Sequence, residues 1–260
     1  MARFIDFPLL TFVLSFFLLL LSAHVGKFIR NRGHAPGKPI DQDLGFNFVV
    51  SATLSLLGLI IGFTFSMAIS RYDLRKDYEE AEANAIGTEY LRADLLAHAD
   101  KLKLRMLIKD YLDQRVLFYT SRDIAEIVQI NNRTSQLQRD LWLAILIPTI
   151  EKPTAISALV VAGMNDVLNA QGYTQAGWWN RIPRAAWTLM FLIAICCNIL
   201  IGYSAKYGKE GRHLLLVLPF VVSVSFFLIA DIDSPRGGLI RLNPENLLSL
   251  GRSLQPQSLP

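Results

Sequence analysis

This sequence is poor in charge. Only 18% of its 260 residues are Asp, Glu, Lys or Arg, against 52% apolar residues. Soluble domains carry about 25% charged residues, and disordered chains combine low hydrophobicity with high charge, so neither class fits. Two cysteines, Cys196 and Cys197, cannot build a disulfide framework. They are adjacent and sit in an apolar run, which reads as packing rather than redox chemistry. The four histidines, His24, His34, His98 and His213, are never at metal-ligand spacing. No phosphate-cradling glycine loop, nucleophile elbow or zinc-binding helix motif occurs, so the chain does not read as an enzyme and no cofactor is expected. Period-2 alternation is also missing, which leaves an all-α chain.

The net charge of +4 has an address. Residues 71–184 hold 15 basic and 15 acidic side chains, and both tails are neutral. The excess lies in two short connectors, 24–43 and 206–212, each carrying +2. A nucleic-acid binder needs a basic patch or stripe, so no nucleic-acid partner is expected.

Long uncharged runs supply what the charge does not. They cover 7–25, 44–70, 185–205 and 214–230. A bilayer core takes about 20 apolar residues of helix, and only helices or closed barrels satisfy the backbone there. The sequence therefore predicts a polytopic membrane protein with four transmembrane helices. Residues 1–70 carry spans one (7–25) and two (46–70). An extramembrane helical domain fills 71–184. Spans three (185–205) and four (213–231) lie in 185–240, and 241–260 form a C-terminal tail. The first run is too long for a signal-peptide core of 7–15 residues and is read as a retained anchor.

Span two is expected to continue outward as one long helix, since no Pro or Gly lies between Ile69 and Ile86. Its apolar line would be Leu74, Tyr78, Ala81, Ala85, Thr88 and Leu95, with Arg75, Glu79 and their neighbours on a solvated face. Further helices are expected over 98–120, over 122–147 with Pro148 as the stop, and from Pro153 to about Ala170. Gly172–Gly177 would be a loop, and Trp178 and Trp179 an interfacial aromatic pair.

Within span two, Ser51, Ser55, Gly58, Gly62, Ser66 and Ser70 share one face. Small residues permit close helix packing in membranes; the same face could also line a wet path. A second line, Phe48, Ala52, Leu56, Leu59, Phe63 and Met67, reads as lipid contact or as a hydrophobic constriction. One copy of the helix cannot enclose a pore, so the second alternative requires an oligomer. Outside the membrane, Glu82, Glu89 and Arg92 form a polar stripe that could line a vestibule or be an ion-paired face. After span four, Asp231 and Asp233 precede Arg236. Local turn bonding, with Arg236 or Arg241 as ion partners, accounts for them.

The run from Ile61 to Tyr72 resembles the second transmembrane helix of bestrophin channels, in its Gly62-Phe63 step and in Ser70-Arg71-Tyr72 at the membrane exit. The layout of four spans around a helical domain is similar too. A closer resemblance is to bacterial bestrophin-like membrane proteins of unknown function. It rests on residues 62–68, on 82–88 with Leu91-Arg92-Ala93, on Asn180-Arg181-Ile182-Pro183 and on 229–241. The resemblance implies a homopentameric ion channel in the bacterial inner membrane, with inorganic ions and the lipid bilayer as its partners. Span two would surround the pore, Phe63 would form the hydrophobic neck, and Leu59 would lie one turn earlier. Ser55 departs from the apolar neck pattern. Bestrophins carry an acidic calcium cluster after span four; two carboxylates fall short of the 6–8 oxygens calcium takes, so no metal is expected. Lys and Arg near the span ends divide almost evenly between the two sides, and the resemblance implies a cytoplasmic domain. The alternative to a channel is a non-conducting scaffold or sensor whose helical domain binds a partner.

Overall fold

The computed structural model describes residues 7–33, 44–204 and 209–255. The connector charges Lys38, Asp41, Asp43 and Lys206, together with Arg3, Asp6 and His34, lie outside the described residues. The elements in order are α1 (Pro8–Gly33), α2 (Leu44–Arg92), a 3-10 turn (Ala93–Leu95), α3 (His98–Thr120), α4 (Ile124–Glu151), α5 (Ala155–Trp179), α6 (Arg184–Ser204), α7 (Lys209–Asp233) and α8 (Glu245–Ser253). No strand occurs among the described residues. Four helices are long and apolar enough to cross a bilayer. The protein is an all-α, multi-pass membrane protein, as the uncharged runs predict.

The chain divides into two compact units, Met1–Tyr72 with Arg181–Arg241, and Asp73–Asn180 with Leu242–Pro260. The first holds α1, the apolar part of α2, α6 and α7. Its core joins Leu19, Leu57, Ala68, Trp187, Met190, Ala194, Cys197 and Phe226. Rings interlock there: Phe191 meets Phe226 edge-on at 4.8 Å. Lipid provides no hydrophobic drive between spans, so close packing holds them together. α1 and α6 achieve it at two glycines. A Cβ on Gly26 would fall onto the Ile199 backbone, and one on Gly202 onto the Ala23 backbone. α1 supports this with a buried small polar line of Thr11, Ser15 and Ser22, each hydroxyl bonded back to a carbonyl three or four residues earlier.

The second unit packs α3, α4 and α5 with α8 and the outer part of α2. Buried positions recur every three or four residues, as in Leu104, Ile108, Tyr111, Arg115 and Phe118 of α3. Asp123 starts α4 by accepting from the Ala125 amide. Thr154 and Ser157 start α5 with a reciprocal capping box.

Several sequence expectations need correction. α4 does not stop at Pro148 but runs to Glu151. A proline removes one hydrogen bond to the preceding turn, and the buried Ala144 and Ile145 hold that turn in place. α5 continues through Gly172 and Gly177 to Trp179. Gly177 serves close approach rather than a turn, because a Cβ there would press on the Tyr78 ring at 2.9 Å. Trp178 is buried against Phe118 and Tyr119 and is a core residue; Trp179 is exposed. Within the C-terminal segment, Glu245–Ser253 form α8.

Candidate functional site

α2 is the element on which most of the expected site residues sit. Along its membrane length the buried positions are Leu57, Thr64 and Ala68, seven and four residues apart and so on one face. Thr64 satisfies its hydroxyl on the Ile60 carbonyl at 2.8 Å. Ser51, Ser55, Gly58, Gly62, Ser66 and Ser70 lie on roughly the opposite side and are all exposed. A Cβ on Gly58 or Gly62 would meet nothing within 4 Å. Packing inside this chain therefore does not use the small-residue face. Leu59 and Phe63, on the adjoining face, are 53% and 63% exposed. Of the most apolar stretch of α2 only 11% is buried, against 50% for α7. Where the apolar stretch ends, Arg71 reaches the Met67 sulfur, and the Tyr72 hydroxyl donates to the Arg241 carbonyl at 3.3 Å.

Beyond the apolar stretch, α2 buries charge. The covered line is Arg75, Glu79, Glu82, Ile86, Glu89 and Ala93, not the expected Leu74–Leu95 line, and Arg75 and Glu79 do not belong to a solvated face. Each of the first three has partners within the helical unit. Arg75 Nε donates to the Gly177 carbonyl at 3.2 Å. Glu79 accepts the Leu247 amide at 2.9 Å and the Asn246 side-chain amide at 2.6 Å. It thus places a carboxylate at the N-terminus of α8, where free N–H groups and the helix dipole favour negative charge. Glu82 is held by the Arg115 guanidinium, by Tyr119 at 3.3 Å and by Thr174 at 3.0 Å. Arg115 also lies over the Phe118 ring at 4.5 Å. Burial works against the Arg115 charge, but Glu82 more than offsets it, so the group titrates above an ordinary arginine. Burial, reinforced by Glu82, pushes the Tyr119 hydroxyl up as well.

Glu89 is different. Both its oxygens are buried and accept no hydrogen bond. Arg92 Nη1 stands 3.9 Å from Glu89 Oε2. Burial raises the Glu89 pKa from 4.5 to about 8, opposed by Arg92 and aided by Asp166. Glu82 and Glu89 thus face the interior of the helical unit, both with no exposed surface in the single chain. A carboxylate with no exposed surface cannot present its charge to a wet passage. Arg92 alone of the three keeps part of its surface.

Two acidic residues in the last turn of α7 hold the turn that follows it. Asp231 accepts the Leu239 and Ile240 amides at 2.7 and 2.8 Å. Asp233 accepts Arg181 Nε at 3.0 Å and the Ile182 amide at 3.2 Å. Arg236 stands half-buried in the same turn. All four carboxylate oxygens thus face N–H donors, one of them a guanidinium. Such a donor set does not fit calcium, which needs those lone pairs for itself. Arg181 as the ion partner of Asp233, and Arg115, Tyr119 and Thr174 around Glu82, were not identified in the sequence. The spacing of Arg75, Glu79, Glu82, Ile86 and Glu89 carried a signal for the buried line.

No protein-family model matches this chain, and no curated protein sequence does. Solved structures match it over almost its full length. A bacterial bestrophin homologue from Klebsiella pneumoniae, carrying one substitution, superposes with a TM-score of 0.68 at 11% identity, covering 93% of this chain and 97% of that one. A second single-substitution form of that homologue gives 0.67 at 12% identity over 94% and 97%. A third structure of it gives 0.65 at 12% identity over 93% and 96%. At these identities the likeness concerns the fold, and at that level it bears out the resemblance read from the sequence.

Proposed function

We propose that this protein is an oligomeric, channel-like conductor of the bacterial inner membrane, not an enzyme, with α2 lining the pore. Leu59 and Phe63 form its hydrophobic constriction, and Arg71 and Tyr72 mark the membrane exit. Inorganic ions are the permeant class, and the helical unit stands on the cytoplasmic side. The observation that carries this reading is the uncovered membrane face of α2. Its own chain leaves open both the small-residue line and the two large apolar side chains beside it. Copies around an axis would cover that face and would bring identical Phe63 rings together, where a dry ring can gate by dewetting. The fold shared with bestrophin homologues supports a pentamer as the closed ring.

Mass photometry in nanodiscs should give a single closed oligomer, and planar bilayers containing it should pass ions. Phe63→Ala should raise the open current several-fold by widening and wetting the neck. A verified pentamer that passes no current, with or without Phe63→Ala, overturns the reading.

A non-conducting scaffold or sensor is the second reading. It is favoured by the apolar side chains left open on α4 and α5, where Leu143, Ile147, Ile150, Ile156 and Leu159 are all more than half exposed. A monomer or dimer in nanodiscs would favour it, and a five-fold ring with α2 at the centre would count against it.

A further inference from the structure

One guanidinium nitrogen in the helical unit has two carboxylates to choose between. Arg92 Nη1 lies 3.9 Å from Glu89 Oε2 on its own helix and 4.0 Å from Asp166 Oδ2 on α5. Neither distance is a hydrogen bond. The two carboxylates differ in setting: Glu89 is fully buried, and Asp166 is exposed. Gly163 makes the meeting place, because a Cβ there would occupy the space of Glu89 Oε2 and Arg92 Nη1. The charged groups acting on Glu89 are Arg92 from α2 and Asp166 from α5.

We propose that Glu89, Arg92 and Asp166 form a proton-operated latch between α2 and α5. With Glu89 protonated, the buried site is neutral and Asp166 holds the guanidinium at the surface. When Glu89 loses its proton, an uncompensated buried carboxylate is costly. Arg92 then closes the remaining gap to Glu89 over Gly163, and Asp166 is left to solvent. The raised pKa of about 8 puts the exchange just above neutral pH, so modest alkalinisation moves it. No separate cofactor or partner is needed, since the proton is the ligand. The latch does not depend on conduction, because all three residues lie in the helical unit.

The test uses the full chain in detergent. Infrared difference spectra of the wild type between pH 6.5 and 9.5 should show one protonated-carboxyl band that disappears with a midpoint near 8. Glu89→Gln should abolish it. A double-mutant cycle of Arg92→Gln and Asp166→Asn, read as apparent Tm, reports on the other half of the exchange. The two substitutions should be coupled at pH 6.5 and independent at pH 9.5, and in a Glu89→Gln background they should be coupled at both. Absence of the carboxyl band at pH 6.5, or an Arg92–Asp166 coupling that ignores pH in the wild type, overturns the latch. If Glu89→Gln fails to fold, carboxyl isotope labelling of the wild type assigns the band, and the wild-type cycle decides alone.

Discussion

Two pairs of membrane-helix glycines, one on α1 and α6 and one on α2, do opposite things in this chain. Gly26 and Gly202 bring α1 and α6 into backbone contact. Gly58 and Gly62 on α2 touch nothing, and the side chains beside them are open. The same division runs along α2 itself. Its membrane length buries only uncharged side chains, Leu57, Thr64 and Ala68, and leaves most of its surface free. Its outer length buries one arginine and three glutamates and satisfies most of them with remote partners. Small residues therefore show only where a helix can be approached. Whether the approach is made within the chain depends on what the rest of the fold places there.

The largest expected effect comes from breaking the buried charge on the outer length of α2. Arg115→Ala leaves Glu82 buried with two hydroxyl partners and no countercharge, which should cost about 3–5 kcal/mol. Thermal melts and expression yield will register it. Paired replacement of Glu82 and Arg115 by Leu and Met should recover much of the loss, because the penalty belongs to the unpaired charge.

Next is the pH dependence of stability. Glu89 has a higher pKa folded than unfolded, so the native state binds the proton more tightly. Its stability is fully present below about pH 4.5 and falls as pH rises toward about 8. The slope is at most about 1.4 kcal/mol per pH unit. Glu89→Gln should flatten that part of the stability profile and exceed the wild type at pH 8. Apparent Tm measured across pH 5–9 checks this.

A smaller effect sharpens the glycine comparison directly. Gly202→Ala should cost about 1–3 kcal/mol by forcing α1 and α6 apart. Gly58→Ala and Gly62→Ala should change the stability of the single chain by about 1 kcal/mol or less, yet alter its association. Melting curves beside mass photometry of the three variants separate the two roles. Similar in size to Gly202→Ala, Asp233→Asn should loosen the Arg181 turn by about 1–3 kcal/mol, and added calcium should not restore it.

The membrane helices were legible because lipid excludes charge, and the uncharged runs mark them directly. The end of α3 at Thr120 was legible as well. What failed depended on distant chain. Pro148 and Gly177 read as breakers by local rules, but neighbouring helices hold both inside helices. The buried line of α2 was misjudged because its partners are remote: Arg115 lies 33 positions from Glu82 and the Leu247 amide 168 from Glu79. Without those partners, Glu79 and Glu82 are ordinary surface residues. α8 was invisible for the same reason. At nine residues it is too short to be stable alone, and it is helical where Glu79 and the α3 side of the unit receive it.

The Glu79 clasp on α8 bears on how the chain can be cut and labelled. Removing residues 245–253 is not the trimming of a loose end. It withdraws the amide donors from a buried carboxylate and uncovers the place filled by Leu247, which has no exposed surface. A shortened protein that expresses poorly or titrates differently would thus report an opened interior. Reporter groups are better joined beyond Ser253, where the last turn has already been formed.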